Sequence, residues 1–342
     1  MQHILLADLP LTSSVLSPQA NPVVLPQTAR LCRQAGVEQQ EALREDAQAA
    51  WLTPAERWLL HALRLPDADG EQAPWARLAV RAEVPVEGFL PDAPLGLLIP
   101  AHLHLGRDSL TLADPATLDL AADEAQRLFE AVEPLFTQAG WTLRMAAPMR
   151  WYVSHPSLAG VVSAGVARAQ GRSVAAWMPG GAPARGWRQL LTEVQMTWQH
   201  HPVNEAREQS GRAEVNTLWL HGCGDLPPGW QSPLRCVAES DNGSADPTMA
   251  AALRGLAAWP ALAQADALQV IDARCALADG AAQALQDLDA RVAAALTAAM
   301  ARAGRVRLTL AGQRRWITLA VSPPQDWKFW KRSDFNALLA TV

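Results

Sequence analysis

The stretch VNTLWLHGCG, Val215 to Gly224, decides how the chain is read. It has the form of a buried strand running into glycines, and glycines after a strand are where α/β proteins place a phosphate or a substrate. From Val215 onward the pattern alternates. VNTLWLH is followed by the apolar piece RCVAE, a helix about Thr248 to Trp259 and the strand ALQVIDA. A long helix from Asp279 to Ala303 and the hairpin RVRLTL-AGQR-RWITLAV complete the series. Strand–helix alternation predicts a largely parallel sheet covered by helices on both faces.

Upstream the pattern is less regular. His3 to Leu9 reads as a short buried strand. Thr53-Pro54 is an N-cap followed by proline at the first helical position, opening AERWLLHALRL, and Pro74 opens WARLAVRA. Leu97 to Leu105 and Ser109 to Ala113 read as a hairpin about Gly106-Arg107-Asp108. Asp123 caps a helix through Gln138 that Gly140 stops, and WTLRM with MRWYV suggests a second strand pair. The glycine- and proline-rich piece VSAGVARAQGRSVAAWMPGGAPARG reads as a connection. Trp187, Leu190, Leu191, Val194 and Trp198 then form a helical stripe up to His200. The expected architecture is α/β. It has an α+β N-terminal region over 1–160 and an α/β core over 161–342, as two regions or one integrated domain.

The chain has 342 residues, 49% of them apolar and 18% charged, which suits a sizeable core and excludes a disordered polymer. A net charge of −5 argues against nucleic acid or an anionic membrane as partner. Lys328 and Lys331 are the only lysines among 29 basic residues. The four cysteines form no C-x-x-C pair, MQHILLADLP lacks the form of a signal peptide, and no apolar run approaches the roughly 20 residues of a membrane span. These features predict a cytoplasmic protein with reduced thiols.

Three groups of residues invite a functional reading. In HGCGD, backbone N–H groups beside Gly222 and Gly224 could converge on an anion, with Asn216 and His221 close by in sequence. The alternative is a plain turn at a strand end, since Asp225 and Pro227-Pro228 follow rather than a helix N-terminus. Among the eight histidines, His102 and His104 alternate along a strand. His200-His201 closes a helix, where an imidazolium would suit the dipole, and His221 lies near Cys223 and Cys236. None of these spacings makes a four-ligand zinc set. There is no G-x-S-x-G elbow. In the tail, Trp327, Lys328, Phe329, Trp330 and Lys331 interleave aromatic and basic side chains before a short helix that Ser333 could cap. Such a cluster serves a partner hot spot or simply docks the tail onto the body.

VNTLWLHGCG and DALQVIDARCALADGAAQALQDLDARVAAAL, with HLHLGRDSLTLADP, RWYVSHPSL and WKFWKR, resemble the RpfE-type regulatory proteins of proteobacteria, often labelled phosphoglycerate mutase. These in turn are similar to the archaeal-type, cofactor-independent phosphoglycerate mutases of the alkaline-phosphatase superfamily, a likeness confined to the last third of the chain. The mutase resemblance implies two divalent metals and a serine nucleophile. It implies metal ligands as an Asp-Gly pair after the first strand, an Asp and a His after a middle strand, and Gly-Asp-His after a later one. Here the corresponding pieces are Asp8-Leu9, Asp272 with Asp279 but no histidine, and Gly312-Gln313-Arg314. An arginine puts a fixed cation where a dication would sit. The expectation is therefore a non-catalytic regulatory or partner-binding protein without cofactor or metal. Its partner would be a protein, for which the resemblance suggests the RecJ exonuclease. The alternative is a metal-dependent phosphoglycerate mutase or phosphatase with a rearranged site.

Overall fold

The computed structural model describes residues 1–9, 25–42, 51–66, 72–83, 89, 93–106, 109–180, 183–237, 247–273, 282–323 and 333–342. The chain divides into two compact units, one of residues 1–64, 231–245 and 260–342, the other of 65–230 and 246–259. It builds β1 (Gln2–Ala7), α1 (Pro26–Leu31), β2 (Gly36–Ala42) and α2 (Pro54–Ala62) in the first unit. It then passes into the second for α3 (Trp75–Glu83), β3 (Leu95–Ala101), β4 (Leu103–Leu105), β5 (Leu110–Leu112) and α4 (Ala122–Gln138). There follow β6 (Thr142–Ala147), β7 (Arg150–Ser154), α5 (Val166–Ala169), α6 (Arg185–Gln199), α7 (Pro202–Gln209) and β8 (Thr217–His221). The first unit resumes with β9 (Ser232–Val237), the second adds α8 (Pro247–Ala257), and the first closes with β10 (Ala261–Asp272), α9 (Ala282–Ala303), β11 (Val306–Ala311), β12 (Arg315–Val321) and α10 (Phe335–Leu339).

The first unit is an α/β layer structure. Its sheet runs β2-β12-β11-β1-β10-β9, parallel from β11 through β1 and β10 to β9, with β12 and β2 added antiparallel. Ile4, Leu6, Leu308 and Leu310 turn to one face, where Leu288, Val292, Leu296 and Phe335 from α9 and α10 cover them. On α9 the buried residues recur every three or four positions, the spacing that keeps a helical stripe on a sheet. Asp289 of the same helix is buried and accepts from the Gln27 and Thr28 amides at 2.8 Å each, satisfying the first N–H groups of α1. The opposite face carries α2 and the buried Thr309–Thr318 hydroxyl pair, 2.7 Å apart.

The second unit holds an antiparallel sheet, β6-β7-β3-β8. Its core joins Leu98, Trp151, Val153 and Leu220 of the sheet to Leu128 and Val132 of α4 and Trp187, Val194 and Trp198 of α6. This corrects the reading of VNTLWLH as part of the parallel series. β8 is buried at all five positions, but it runs antiparallel beside β3, with Leu97 opposite His221 and Ala101 opposite Thr217. A strand covered on both faces shows the same apolar run whichever way its neighbour runs. The expected hairpin also shrinks. Only β4 and β5 pair across Gly106, while Leu95–Ala101 belongs to the main sheet. Among the described residues no helix is long and apolar enough to cross a membrane.

Candidate functional site

The carboxyl ends of the parallel strands are where the residues of interest in the first unit gather. Ala7 pairs with Asp272, so Asp8 and Asp272 leave adjacent strands side by side. Asp8 is 5% exposed and holds a left-handed backbone at φ 53°, a conformation rare outside glycine, asparagine and aspartate. Leu9, next in line, is buried and donates its N–H to the Ala311 carbonyl at 2.9 Å. Neither aspartate is without a partner of its own. At the end of β11, Gly312 lies against the last residue of the chain, and a Cβ added there would stand 2.2 Å from the Val342 carbonyl oxygen. Arg315 Nε donates to the Thr341 carbonyl at 2.6 Å, and Asp334, rather than Ser333, caps α10 by accepting the Ala337 amide. The chain end is thus folded over the end of β11.

The HGCG turn in the second unit is packed against the start of α3. Gly222, at φ 70°, accepts the Ala76 amide at 3.1 Å, and Gly224 donates to the Ala73 carbonyl at 3.1 Å. A Cβ at Gly224 would stand 2.7 Å from the Ala73 carbonyl carbon, so the glycine permits one backbone to approach another. His221 is 1% exposed, and burial pushes the Cys223 thiol up to about 12. Asn216 stands apart from this turn. Its Oδ1 accepts the Leu103 amide at 2.7 Å and its Nδ2 donates to the Leu103 carbonyl at 3.0 Å, clipping β4 to the approach to β8. Residues Trp327 to Lys331, and Asp279, lie outside the described residues.

The histidines are deployed differently from the sequence expectation. His102 Nδ1 lies 2.9 Å from the Glu214 carbonyl, and its ring is 6.4 Å from that of His104. His201 does not close a helix as a cation. It is the N-cap of α7, where Nδ1 accepts the Val203 amide at 3.2 Å, and burial with the nearby Arg127 pushes its pKa down. A ring nitrogen can accept only while unprotonated.

One feature of the first unit had no sequence signal. An open cleft of about 850 Å³ lies among β1, β2, α2, β9, β10, β11 and β12, with His3, Glu38, Glu41, Arg64, Asp266 and Arg307 on its lining. Arg307 Nε donates to Glu38 at 2.7 Å, and that bond holds the Glu38 carboxyl below its usual range with help from Arg305. Arg57 pairs with Glu41 at 2.7 Å. Asp266 meets the N-terminal ammonium and, at 3.5 Å, His3 Nε2. Burial pushes the Asp266 carboxyl up, but the ammonium and His3 together bring it below normal. Burial, reinforced by Arg307, pushes the His3 pKa down.

No protein-family model matches the chain, and no curated protein does. Among solved structures, the cofactor-independent phosphoglycerate mutase of Thermoplasma acidophilum is similar over 100% of this chain and 96% of its own, at 14% identity and a TM-score of 0.43. The PH0037 protein of Pyrococcus horikoshii is similar over 98% of this chain and 92% of its own, at 11% identity and a TM-score of 0.49.

A pair of divalent ions held about 4 Å apart needs a crowd of carboxylate and imidazole donors. Among the described residues no three histidine, cysteine, aspartate or glutamate side chains are placed to hold a metal. At the strand ends Asp8 and Asp272 are joined by leucine, glycine and glutamine, with Arg314 following. The donors described at these strand ends do not by themselves fit a two-metal centre.

Proposed function

We propose that the chain is a non-catalytic, partner-binding protein on a phosphoglycerate mutase-like scaffold, in the manner of the RpfE-type regulatory proteins. The observation that carries this reading is the end of β11. There the chain's own C-terminus lies against Gly312, and a side chain at that position has no room. The mutase resemblance implies metal ligands just after that glycine, where this chain carries Gln313 and Arg314. The reading predicts that the purified full chain, supplied with manganese, turns over neither 3-phosphoglycerate nor p-nitrophenyl phosphate above a no-protein control. Metal-dependent turnover well above that control would overturn it.

A second reading has one observation in its favour. Asp8 and Asp272 sit together on adjacent strands, as a pair of ligands would in a phosphoglycerate mutase or phosphatase with a rearranged site.

For the partner we propose a protein contact through Trp327, Lys328, Phe329, Trp330 and Lys331, and RecJ exonuclease is one bait to test. Nucleic acid is disfavoured by the net charge of −5. The contact or anion site that the sequence suggested at Asn216, His221, Gly222 and Gly224 is not proposed further, since Asn216 is bonded to Leu103, His221 is 1% exposed and the glycines pack against the start of α3. Replacing Trp327 and Trp330 by alanine should abolish capture of the partner from native extract while the melting temperature holds. A collapse of the melting temperature would show instead that the tail docks onto the body.

A further inference from the structure

The cleft of the first unit lies towards the opposite end of the parallel strands from Asp8 and Asp272. His3 and Arg307 are register partners near the starts of β1 and β11, and Asp266 precedes the residue that pairs with Gln2. Its volume of about 850 Å³ falls within the range of small-molecule sites. The lining is polar and charged, so the charges decide what it can accept.

Each of the three carboxylates is already matched. Glu38 meets Arg305 and Arg307, Glu41 meets Arg57 and His61, and Asp266 meets the N-terminal ammonium and His3. Arg64 is left over: it lines the cleft, is exposed, and has no carboxylate partner among the described residues. Guanidinium groups stay protonated at any physiological pH. Arg64 and Arg307 line the cleft, while Arg57 and Arg305 reach Glu41 and Glu38 from outside the lining. With each lining carboxylate already matched, Arg64 is a guanidinium of the lining without a carboxylate of its own among the described residues, in a chain whose net charge is −5.

Two further observations point the same way. Arg64 follows the C-cap of α2 with φ 55°, a left-handed position that glycine fills most readily, so an arginine is held there against its backbone preference. His3 and Trp316 also line the cleft, and their Nδ1 and Nε1 atoms are buried without a hydrogen-bond partner.

We propose that this cleft binds a small anionic molecule, and that Arg64 recognises its phosphate or carboxylate group through the two-pronged donor geometry of guanidinium. The proposal is independent of whether the strand ends carry metal chemistry.

The test is calorimetric titration of the full chain with inorganic pyrophosphate and, separately, with citrate. Ionic strength is held low and constant, and metal is removed beforehand on a chelating resin so that no metal-bridged binding at Asp8 and Asp272 contributes. Saturable binding of about one anion per chain is expected, weakened roughly tenfold or more in Arg64→Gly through loss of a charge-assisted pair. Because glycine suits the left-handed position, Arg64→Gly should melt no lower than the parent, which separates lost recognition from lost folding. Pyrophosphate binding alone assigns a phosphorylated ligand, and citrate binding alone a polycarboxylate. No saturable binding of either anion, or equal affinity in Arg64→Gly, would overturn the proposal.

Discussion

Arg207 is fully buried, and its position is the clearest single-residue statement of how the second unit is held. Its Nη1 donates to Glu124 at 2.7 Å, its Nε to the Ala213 carbonyl at 2.7 Å, and its Nη2 to the Leu118 carbonyl. Arg212 takes the other Glu124 oxygen at 2.9 Å. One planar group thus ties α7 to the start of α4 and to the loop before it. Removing it leaves a buried carboxylate half-paired and two carbonyls without donors. Arg207→Ala should cost about 3–5 kcal/mol in urea unfolding. Arg207→Lys should recover only part of this, since an ammonium cannot reproduce the planar fork. A loss below about 1 kcal/mol in Arg207→Ala would show that water replaces the guanidinium. Glu83 is a comparable hub. Burial pushes its carboxyl up, but Arg150, Tyr152 and Arg254 together pull it below the usual range.

Helix ends carry the pH response at the scale of elements. His155 and His201 each precede a proline, and each accepts a backbone amide through Nδ1, from Ser157 at 3.1 Å and Val203 at 3.2 Å. Burial pushes both pKa values below the ordinary 6.5, and His3 shifts the same way. The unfolded chain therefore takes up protons first as pH falls through 6.5, and acid draws the equilibrium towards it. Stability should be full above pH 6.5 and decline below it towards the lowered folded values, well before the carboxylates titrate. Thermal melts between pH 7.5 and 5.5 read this directly. His201→Asn should keep the stability at pH 7.5, because asparagine caps as well, and should flatten part of the acid decline. A pH-independent melting temperature in the parent would contradict the neutral-cap geometry.

Local signals at this scale were legible. The Thr53 capping box forms with Glu56, the α6 stripe is buried at Trp187, Leu190, Leu191, Val194 and Trp198, and Gly140 adopts φ 80° after α4. The His-Pro caps were equally local and went unread, because histidine is not a usual cap and its Nδ1 serves only when neutral. Strand direction was not legible, as β8 shows. Nor was the use of Gly222 and Gly224. A phosphate loop and a close backbone crossing both demand the missing Cβ, and only the position of α3 tells them apart.

For the whole molecule, the sequence carried the α/β class, which follows from residue identity and periodicity. It did not carry the return of Val342 to Gly312, or a cleft whose charges come from residues as distant as Glu38 and Arg307. Such long-range placements leave no periodic trace. The central proposal is that the strand ends of the first unit hold no pair of dications, since Asp8 and Asp272 are the carboxylates described there. Its most direct test is the metal content of the purified full chain after incubation with manganese and zinc and exhaustive dialysis. The account predicts a stoichiometry indistinguishable from a metal-free control protein. About two tightly held ions per chain, lost in Asp8→Asn and Asp272→Asn, would contradict it.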